Sequence, residues 1–476
     1  MDRAFEVRYE ELMGECRVPP DLFDGAGARL QRFVEPFARC LGTPLRGEWT
    51  QSYVAGLVSG LEYKNIESIA YLHDQDRQPL QRFIGSVPWD HRPILNLLWQ
   101  QVAAALGEPD GVIVFDPSAH SKKGTESVGV QRQWSGRQGK VDNCQVGIYM
   151  GYVSRREQAL VNERLYLPKS WANSRTRRAK CHVPEDVRFA TRQELSLEML
   201  RETGPVLPHA WVAGDEELGR STQFRRDLRA LNERYVLAVP CNTRVQILEG
   251  AAAPANQEDA PPQEEAPPAP FQRADQWRAA LPESAWTRID VRDGEKGPVV
   301  VHIVSQRVLA FTERAHPGRE ELLVVVRRNN DEGATVYDYL LSNATPDTPR
   351  AELARVANAE HRVEECLKRA KSDAGLSDYE TRTWWGWHHH QTLSLLATWF
   401  LVQETQQGKK IHAGPHRPTS SRGHRPDPPR RHRPTTAGPH RSRMPAPTRT
   451  KRTSPLLPPQ KPQHLTAQTH PSAAIA

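Results

Sequence analysis

The chain has 476 residues, 38% hydrophobic and 25% charged, which is enough to bury a large core and to form two or three domains. No apolar run approaches the ~20 residues of a membrane-spanning helix, and the charged N-terminus lacks the apolar centre of a signal peptide. Six widely spaced cysteines without a CxxC pair are typical of free thiols in a reducing compartment. We therefore expect a cytoplasmic protein with no membrane partner.

The net charge of +7 is unevenly distributed along the chain. From residue 409 onwards there are 14 Lys or Arg and one acid, Asp427, so this segment carries +13. Subtracting it from +7 leaves −6 for residues 1–408. Basic character of the kind that binds nucleic acid is therefore concentrated in the tail, and a DNA-binding surface in the folded body has to be a local patch.

Residues 1–107 have the pattern of an all-helical N-terminal domain. Apolar residues recur at helical spacing in segments 20–41, 54–61 and 92–106. Two roles are open for this domain, which either binds DNA or only supports the domain that follows.

From residue 111 the pattern changes to alternating strands and helices. Strands are predicted at 112–115, 143–154, 158–168, 210–213 and 235–240, and helices at 191–203 and 223–232. This order indicates an α/β domain in which the first three strands form a meander and the later ones add in parallel. Gly111 and Pro117 bracket the first strand, so we expect Asp116 at its carboxyl end, as Asp215 is after 210–213. If the two strands are neighbours, both carboxylates face one cleft.

The second half contains a linker, a β-rich insertion and two helices. Residues 249–270 are a Pro/Ala/acid linker, and strands are predicted at 297–311, 321–329 and 335–343. A long helix starts near 347–349, and Glu364 and Lys371 lie two turns apart on one of its faces. Its apolar stripe consists of Leu353, Val356, Val363, Leu367, Ala370 and Ala374. A last helix covers 384–402.

The tail after residue 408 is expected to be disordered, because it holds 14 of the 39 prolines and no apolar periodicity. Its Arg, Pro, His, Thr and Ala content is typical of a GC-rich gene read out of frame, which suggests a frameshift near residue 408. The alternative is a genuine basic arm that binds phosphate nonspecifically. The predicted domains are thus 1–107, 108–245 with 347–407, the insertion 246–346, and the tail 408–476.

Asp116, Asp215 and Glu364 are the candidate catalytic and metal-binding residues. Mg²⁺ prefers carboxylate oxygen, and two such ions can activate a water or a 3′-hydroxyl and stabilise the leaving oxygen of a phosphodiester. An RNase H-like nuclease or transposase needs these groups. An isolated Asp116 could equally be a strand-end cap, and the neighbours Glu216, Glu217 and Glu365 are alternative acids, although helix phase favours Glu364.

Other polar and aromatic residues are open to two interpretations. Lys122, Lys123 and Lys371 contact DNA phosphate or are solvated surface charges. Residues 388–390 are three histidines, but consecutive helix positions point about 100° apart, so the three cannot converge on one ion. The tryptophans at 384, 385 and 387 could stack on a base, and core packing is the expected use of at least two of them.

Several sequence blocks occur together in the order of a known family. They are Asp116 with SKKG (121–124), SVGVQRQWSG (127–136), NCQVGIY (143–149), LYLPKSW (165–171), VPEDVRFATR (183–192), WVAGD (211–215), YVLAV (235–239) and the segment 363–390. In these blocks the chain resembles bacterial insertion-sequence transposases of the DDE superfamily, in the group called DDE superfamily endonucleases.

The resemblance implies an RNase H-like domain that cuts and joins the ends of its own element. It implies that Asp116, Asp215 and Glu364 bind two Mg²⁺ ions, for which Mn²⁺ substitutes. The implied partner is double-stranded DNA, namely the terminal inverted repeats and the target, bound by a homodimer. The implied DNA-binding residues are Lys122, Lys123, Arg362 and Lys371.

The chain departs from the motif Tyr-x₂-Arg-x₃-Glu-x₆-Lys of related transposases. Glu364 and Lys371 keep its last interval, but the tyrosine position is Ala357 and the arginine position is Glu360. His361 stands where tryptophan is common, and Arg362 is a partial substitute for the arginine. Two other functions stay open: a decayed or domesticated, non-catalytic DNA-binding relative, and an RNase H-like metal-dependent nuclease acting on RNA or in DNA repair.

Overall fold

The computed structural model describes residues 25–135, 139–248, 269–294, 297–311, 317–330 and 333–412. These residues belong to one compact unit within residues 1–415. Most of the predicted linker and the tail from residue 413 lie outside the described residues, and the domain boundaries predicted from the sequence remain predictions. No helix in the described part of the chain is long and apolar enough to cross a membrane.

The described part of the N-terminal segment is helical, as its periodicity predicts. Its helices are α1 (Ala26–Arg39), α2 (Pro44–Leu57), α3 (Ile66–Leu72), α4 (Arg77–Gly85) and α5 (Arg92–Leu106). Thr43, Asn65 and Asp76 begin three of them by accepting a hydrogen bond from a backbone N–H of the first turn. The helices pack against the last helix of the described chain, α13 (Trp384–His412).

The strands of the described chain form one mixed sheet. They are β1 (Val112–Ser121), β2 (Gln131–Ser135), β3 (Lys140–Val153), β4 (Gln158–Leu165), β5 (Trp211–Gly214), β6 (Tyr235–Ala238), β7 (Arg244–Ile247), β8 (Gln272–Arg273), β9 (Thr287–Gly294), β10 (Gly297–Phe311), β11 (Pro317–Asn329) and β12 (Thr335–Ser342). Their order in the sheet is β2-β3-β1-β5-β6-β12-β11-β10-β7-β8, with β4 paired to β3 and β9 to β10. The strands β4, β3 and β1 form an antiparallel meander, and β5 and β6 then add parallel to β1. The predicted meander and parallel addition are therefore confirmed.

The remaining helices connect or cover the strands. They are α6 (Lys169–Ala172), α7 (Arg175–Lys180), α8 (Arg192–Thr203), α9 (Glu216–Gly219), α10 (Thr222–Ala230), α11 (Ala274–Ala279) and α12 (Arg350–Asp373). Thr191 and Glu194 form a reciprocal capping box at the start of α8, which explains where this predicted helix begins.

Two features of the sheet differ from the sequence prediction. Pro117 does not end the first strand, because β1 continues beside β3 to Ser121. Beyond Phe115, β1 has lost its neighbour β5, and a residue without an N–H is tolerated at such an edge. The sequence also did not predict that β12 pairs antiparallel with β6, so that the strands of the predicted insertion continue the same sheet. This pairing covers the open hydrogen-bonding edge of β6.

Helix α12 packs on the sheet through its apolar stripe. All six predicted stripe residues are buried. The close approach requires a glycine, because a Cβ added to Gly151 of β3 would lie 2.5 Å from Cγ2 of Val363. The stripe thereby holds Glu364, the next residue along the helix, at the edge of the helix–sheet contact.

Candidate active site

Asp116 and Asp215 lie on neighbouring parallel strands. The last register pair between β1 and β5 joins Phe115 to Gly214, so the two aspartates are the next residue on each strand. The condition for a shared cleft, that these two strands are neighbours, is therefore met. Asp215 also caps the short helix α9, where its Oδ1 accepts a hydrogen bond of 3.1 Å from the Leu218 N–H.

Burial and like charge both act on these carboxyls. Burial is the main reason why the pKa of Asp116 rises to about 8, and the charges of Asp215 and Glu364 raise it further against the opposing effect of Lys371. Burial likewise raises the pKa of Asp215 to about 6, although the hydrogen bond from Leu218 acts in the opposite direction. Without a cation, the site therefore retains a proton at neutral pH.

Glu364 lies on the solvent side of this pair. Its side chain is 58% exposed, and one carboxylate oxygen is 3.5 Å from His361 Nδ1. It lines a cleft of about 1320 Å³ between α12 and the strands β9 to β12. The basic residues that line the same cleft are Arg292, Arg327, Arg328, Lys368 and Arg369.

Glu360 is a fourth carboxyl at this site, one turn before Glu364 on α12 and on the same cleft. Burial raises its pKa well above the usual range, and the charges of Asp215, Glu364 and Asp116 raise it further. The sequence analysis identified this position only as a departure from the arginine of the motif. The spacing of four residues to Glu364 is the signal that could have placed both acids on one helix face.

The three predicted acids influence one another electrostatically but are not drawn into a tight ligand cluster. Among the described His, Cys, Asp and Glu residues, the group of three whose ligand atoms all lie within 4.8 Å of one another is a different one, His91, Glu163 and His388. The acid site therefore has the charge of a cation site, although no three of its ligand atoms lie within 4.8 Å of one another.

The predicted DNA-binding cations differ in what they contact. Lys122 donates to the Tyr379 carbonyl at 2.8 Å, and its Nζ lies 3.4 Å from the centroid of the Tyr379 ring. Arg362 donates to the Ser154 carbonyl and to Gln158, and Lys371 donates to Ser118 Oγ at 2.6 Å. Lys123 is exposed.

Lys371 is the predicted cation that approaches the acids. Ser118, its hydrogen-bond partner, is two residues beyond Asp116 on β1, and side chains two apart lie on one face of a strand. Its charge lowers the pKa of Asp116.

The three consecutive histidines point to different partners, as the helix geometry predicts. His388 contacts Glu163, His389 contacts the carbonyls of Ile84 and Trp89, and His390 contacts Tyr53 and the Gly375 carbonyl. Of the tryptophans, Trp387 is fully buried and Trp384 packs partly buried against the same apolar cluster, so core packing is confirmed for these two.

Comparisons with known proteins identify the family. The model of the DDE superfamily endonuclease family matches residues 36–298. The "Probable transposase for insertion sequence element IS701" of Microchaete diplosiphon is 25% identical over 197 residues, which are 40% of this chain and 49% of that protein. The chain thus spans about half the length of this curated relative.

Among solved structures, the piggyBac transposase synaptic complex with hairpin DNA is similar over 76% of this chain and 66% of that one, with 9% identity and a TM-score of 0.35. This likeness is too distant to carry an argument about the fold. The family match, in contrast, covers more than half of the chain. The protein therefore belongs to the DDE superfamily endonuclease family.

Proposed function

We propose that this protein is a DNA transposase that cuts and joins the ends of its own insertion element, with Asp116, Asp215 and Glu364 as its metal ligands. The observation that carries the proposal is the position of Asp116 and Asp215 immediately after the last paired residues of the neighbouring parallel strands β1 and β5. Membership of the endonuclease family and the similarity to an insertion-sequence transposase support it.

The order of the strands supports an RNase H-like catalytic domain. An antiparallel meander of β4, β3 and β1 is followed by β5 and β6 in parallel, and α12 packs across this part of the sheet. In open α/β sheets, sites form outside the carboxyl ends of parallel strands, and a site at the Asp116–Asp215 pair, where the parallel pairing of β1 with β5 ends, is consistent with this rule.

The donor atoms at the site fit Mg²⁺, with Mn²⁺ as a substitute. Asp116, Asp215, Glu360 and Glu364 all offer hard carboxylate oxygens. A divalent cation would relieve the repulsion between these four carboxylates. Two bound ions would activate a water or 3′-hydroxyl and stabilise the leaving oxygen of a phosphodiester. Lys371, held by Ser118 beside Asp116, would contact the scissile phosphate.

The arginine- and lysine-lined cleft along α12 supports double-stranded DNA as the substrate. Its lining combines Glu364 with arginine and lysine side chains, and phosphate contacts from such side chains fix the register of a duplex on a protein. We propose that the DNA consists of the element's terminal inverted repeats and the target, and that a homodimer holds the two ends. Lys123, exposed at the end of β1, is a further phosphate contact.

One observation favours a second candidate, a non-catalytic DNA-binding relative. Glu360 replaces the arginine of the transposase motif and thereby adds negative charge to a site that already contains three acids. A protein that binds the repeats but has lost cleavage would share the cleft and the fold.

Cleavage of a labelled duplex carrying one terminal inverted repeat tests the proposal. We expect the full chain to nick this DNA in Mg²⁺ or Mn²⁺, and Asp116→Asn and Asp215→Asn to lose cleavage by at least ~100-fold while still binding it. Glu364→Gln should also lose cleavage, whereas Glu365→Gln on the adjacent residue is the matched control.

Each alternative has its own outcome in this assay. Specific binding without cleavage in either metal would establish the non-catalytic relative. Equal cleavage of unrelated DNA or of an RNA–DNA hybrid would establish a general nuclease. Cleavage that survives in Asp116→Asn would contradict the assigned site.

A further inference from the structure

A buried group of three side chains lies apart from the acid site. His91 precedes α5, Glu163 lies in β4 and His388 lies in α13, and one ligand atom of each is within 4.8 Å of the other two. Glu163 is fully buried and His388 is 3% exposed. The three residues come from distant parts of the sequence and join the N-terminal helices, the sheet and the last helix at one point.

The hydrogen bonds inside this group leave several polar atoms without a partner. His388 Nδ1 and Glu163 Oε1 are 3.0 Å apart, and the rings of His91 and His388 stack with centroids 4.9 Å apart. In the described chain, His91 Nδ1, Glu163 Oε2 and His388 Nε2 are buried and have no hydrogen-bond partner. Leaving such atoms unpaired in the interior is unfavourable, because each has lost its hydrogen bonds to water.

Thr392 adds a fourth polar atom to the same place. It lies one turn beyond His388 on α13, and its hydroxyl is within hydrogen-bonding reach of Glu163. Three unpartnered polar atoms at one place in the interior, one each on His91, Glu163 and His388, indicate a missing ligand, because buried polar groups in native proteins are nearly always paired.

We propose that His91, Glu163 and His388 form a structural binding site for one zinc ion. Two imidazole nitrogens and one carboxylate oxygen are a ligand set that Zn²⁺ accepts, at Zn–N and Zn–O distances of about 2.0–2.2 Å. Ligand atoms around a tetrahedral ion are about 3.3 Å apart by the same distances. His388 Nδ1 and Glu163 Oε1 are already 3.0 Å apart, so binding draws His91 towards this pair and rotates the stacked rings out of their parallel planes. The Thr392 hydroxyl is a hydrogen-bond partner for a water in the fourth position.

This site is independent of the proposed cleavage chemistry. It uses none of the carboxylates assigned to Mg²⁺, and its nitrogen ligands suit a softer ion than Mg²⁺. A zinc ion here would link α5, β4 and α13. It would thereby stabilise the contact between the N-terminal helices and the sheet. Its effect would be on metal content and stability rather than on the cleaved phosphodiester.

Zinc content of the full chain tests this inference. We dialyse the protein against EDTA, add one equivalent of ZnCl₂ in buffer with excess Mg²⁺, remove loosely bound metal by gel filtration, and measure zinc by mass spectrometry. All chains in this experiment carry Asp116→Asn, which prevents zinc from binding at the acid site. We expect one zinc per chain, and His388→Gln and Glu163→Gln should weaken binding by more than ~100-fold, since even outer-shell partners contribute 10–100-fold.

His209→Gln is the matched control. His209 also pairs with a glutamate, Glu233, at 3.2 Å, but belongs to no such cluster. It should retain one zinc. Cobalt provides a readout that needs no variant, because Co²⁺ in a tetrahedral nitrogen–oxygen site gives an intense visible spectrum that zinc abolishes.

The inference is overturned if the unsubstituted His91–Glu163–His388 site binds no zinc and gives no such cobalt spectrum. It is also overturned if His388→Gln and Glu163→Gln keep full zinc content. Neither result affects the proposed transposase activity, and loss of cleavage in the acid-site variants leaves zinc binding unchanged.

Discussion

Replacing Asp116 with asparagine should stabilise the protein when no divalent metal is present, and more so at higher pH. Burial and the charges of Asp215 and Glu364 raise the pKa of Asp116 from 3.8 to about 8. Between these two values the folded chain holds a proton that the unfolded chain has released. Because the folded state binds more protons, the free energy of unfolding falls as the pH rises from about 4 to about 8.

The size of the effect follows from the same two values. Each pH unit between them corresponds to ~1.4 kcal/mol, which gives an upper bound of about 6 kcal/mol at pH 8 and above. Rearrangement of the partly exposed Glu364 carboxylate reduces it, so we expect about 2 kcal/mol. The amide has the shape of the carboxyl and no charge, so Asp116→Asn escapes this penalty.

Urea unfolding in EDTA at pH 5.5, 7 and 8.5 measures the difference. Asp116→Asn should gain over the unsubstituted chain progressively with pH, whereas Asp186→Asn, a change at an exposed aspartate, should not. Added Mg²⁺ should stabilise the unsubstituted chain and remove most of the advantage of Asp116→Asn. The reasoning is refuted if Asp116→Asn is no more stable at pH 8.5, or if its gain is the same at pH 5.5.

Two further predictions concern the packing that supports the site. Gly151→Val should destabilise the fold by about 1–3 kcal/mol and slow cleavage, because the new side chain would collide with Val363 and displace α12. Urea unfolding and the cleavage assay measure the two effects, and Gly27→Ala, with open space around it, is the control. Unchanged stability and cleavage in Gly151→Val would contradict the prediction. Arg225→Ala should cost about 3 kcal/mol in the same unfolding assay, because it removes the nearer cation, 3.0 Å away, from the buried carboxylate of Glu321 and leaves only Arg229 at 3.9 Å. A loss below about 1 kcal/mol would contradict this.

The features predicted correctly from the sequence depend on local patterns. The stripe of α12 follows from a period of 3.6, and the neighbouring positions of Asp116 and Asp215 follow from two short apolar runs that each end in an acid. These runs could be recognised because β5 has only four residues and its flanking residues mark its ends. The later strands β10 to β12 were recognisable because their apolar content is high.

The features that were missed depend on tertiary pairing. The continuation of β1 through Pro117 is decided by β3 on one side and by the end of β5 on the other, neither of which is visible in the segment itself. The antiparallel contact of β12 with β6 joins residues about 100 apart in the chain. The His91–Glu163–His388 group combines residues separated by 72 and 225 positions, and no local spacing connects them.

The acid site illustrates how a stable scaffold tolerates an unfavourable arrangement of charge. Strand pairing fixes the backbone at Asp116 and Asp215, and the contact of Gly151 with Val363 fixes α12, so the backbone positions of the acids cannot separate and only side-chain rearrangement can lower their repulsion. Glu360 adds a carboxyl where related transposases have an arginine, which increases the repulsion further. The site can therefore lower its free energy only by retaining protons or by binding cations. Metal affinity, the rise of the Asp116 pKa and the expected gain of stability in Asp116→Asn have one origin, and a change in any one of them should be accompanied by changes in the other two.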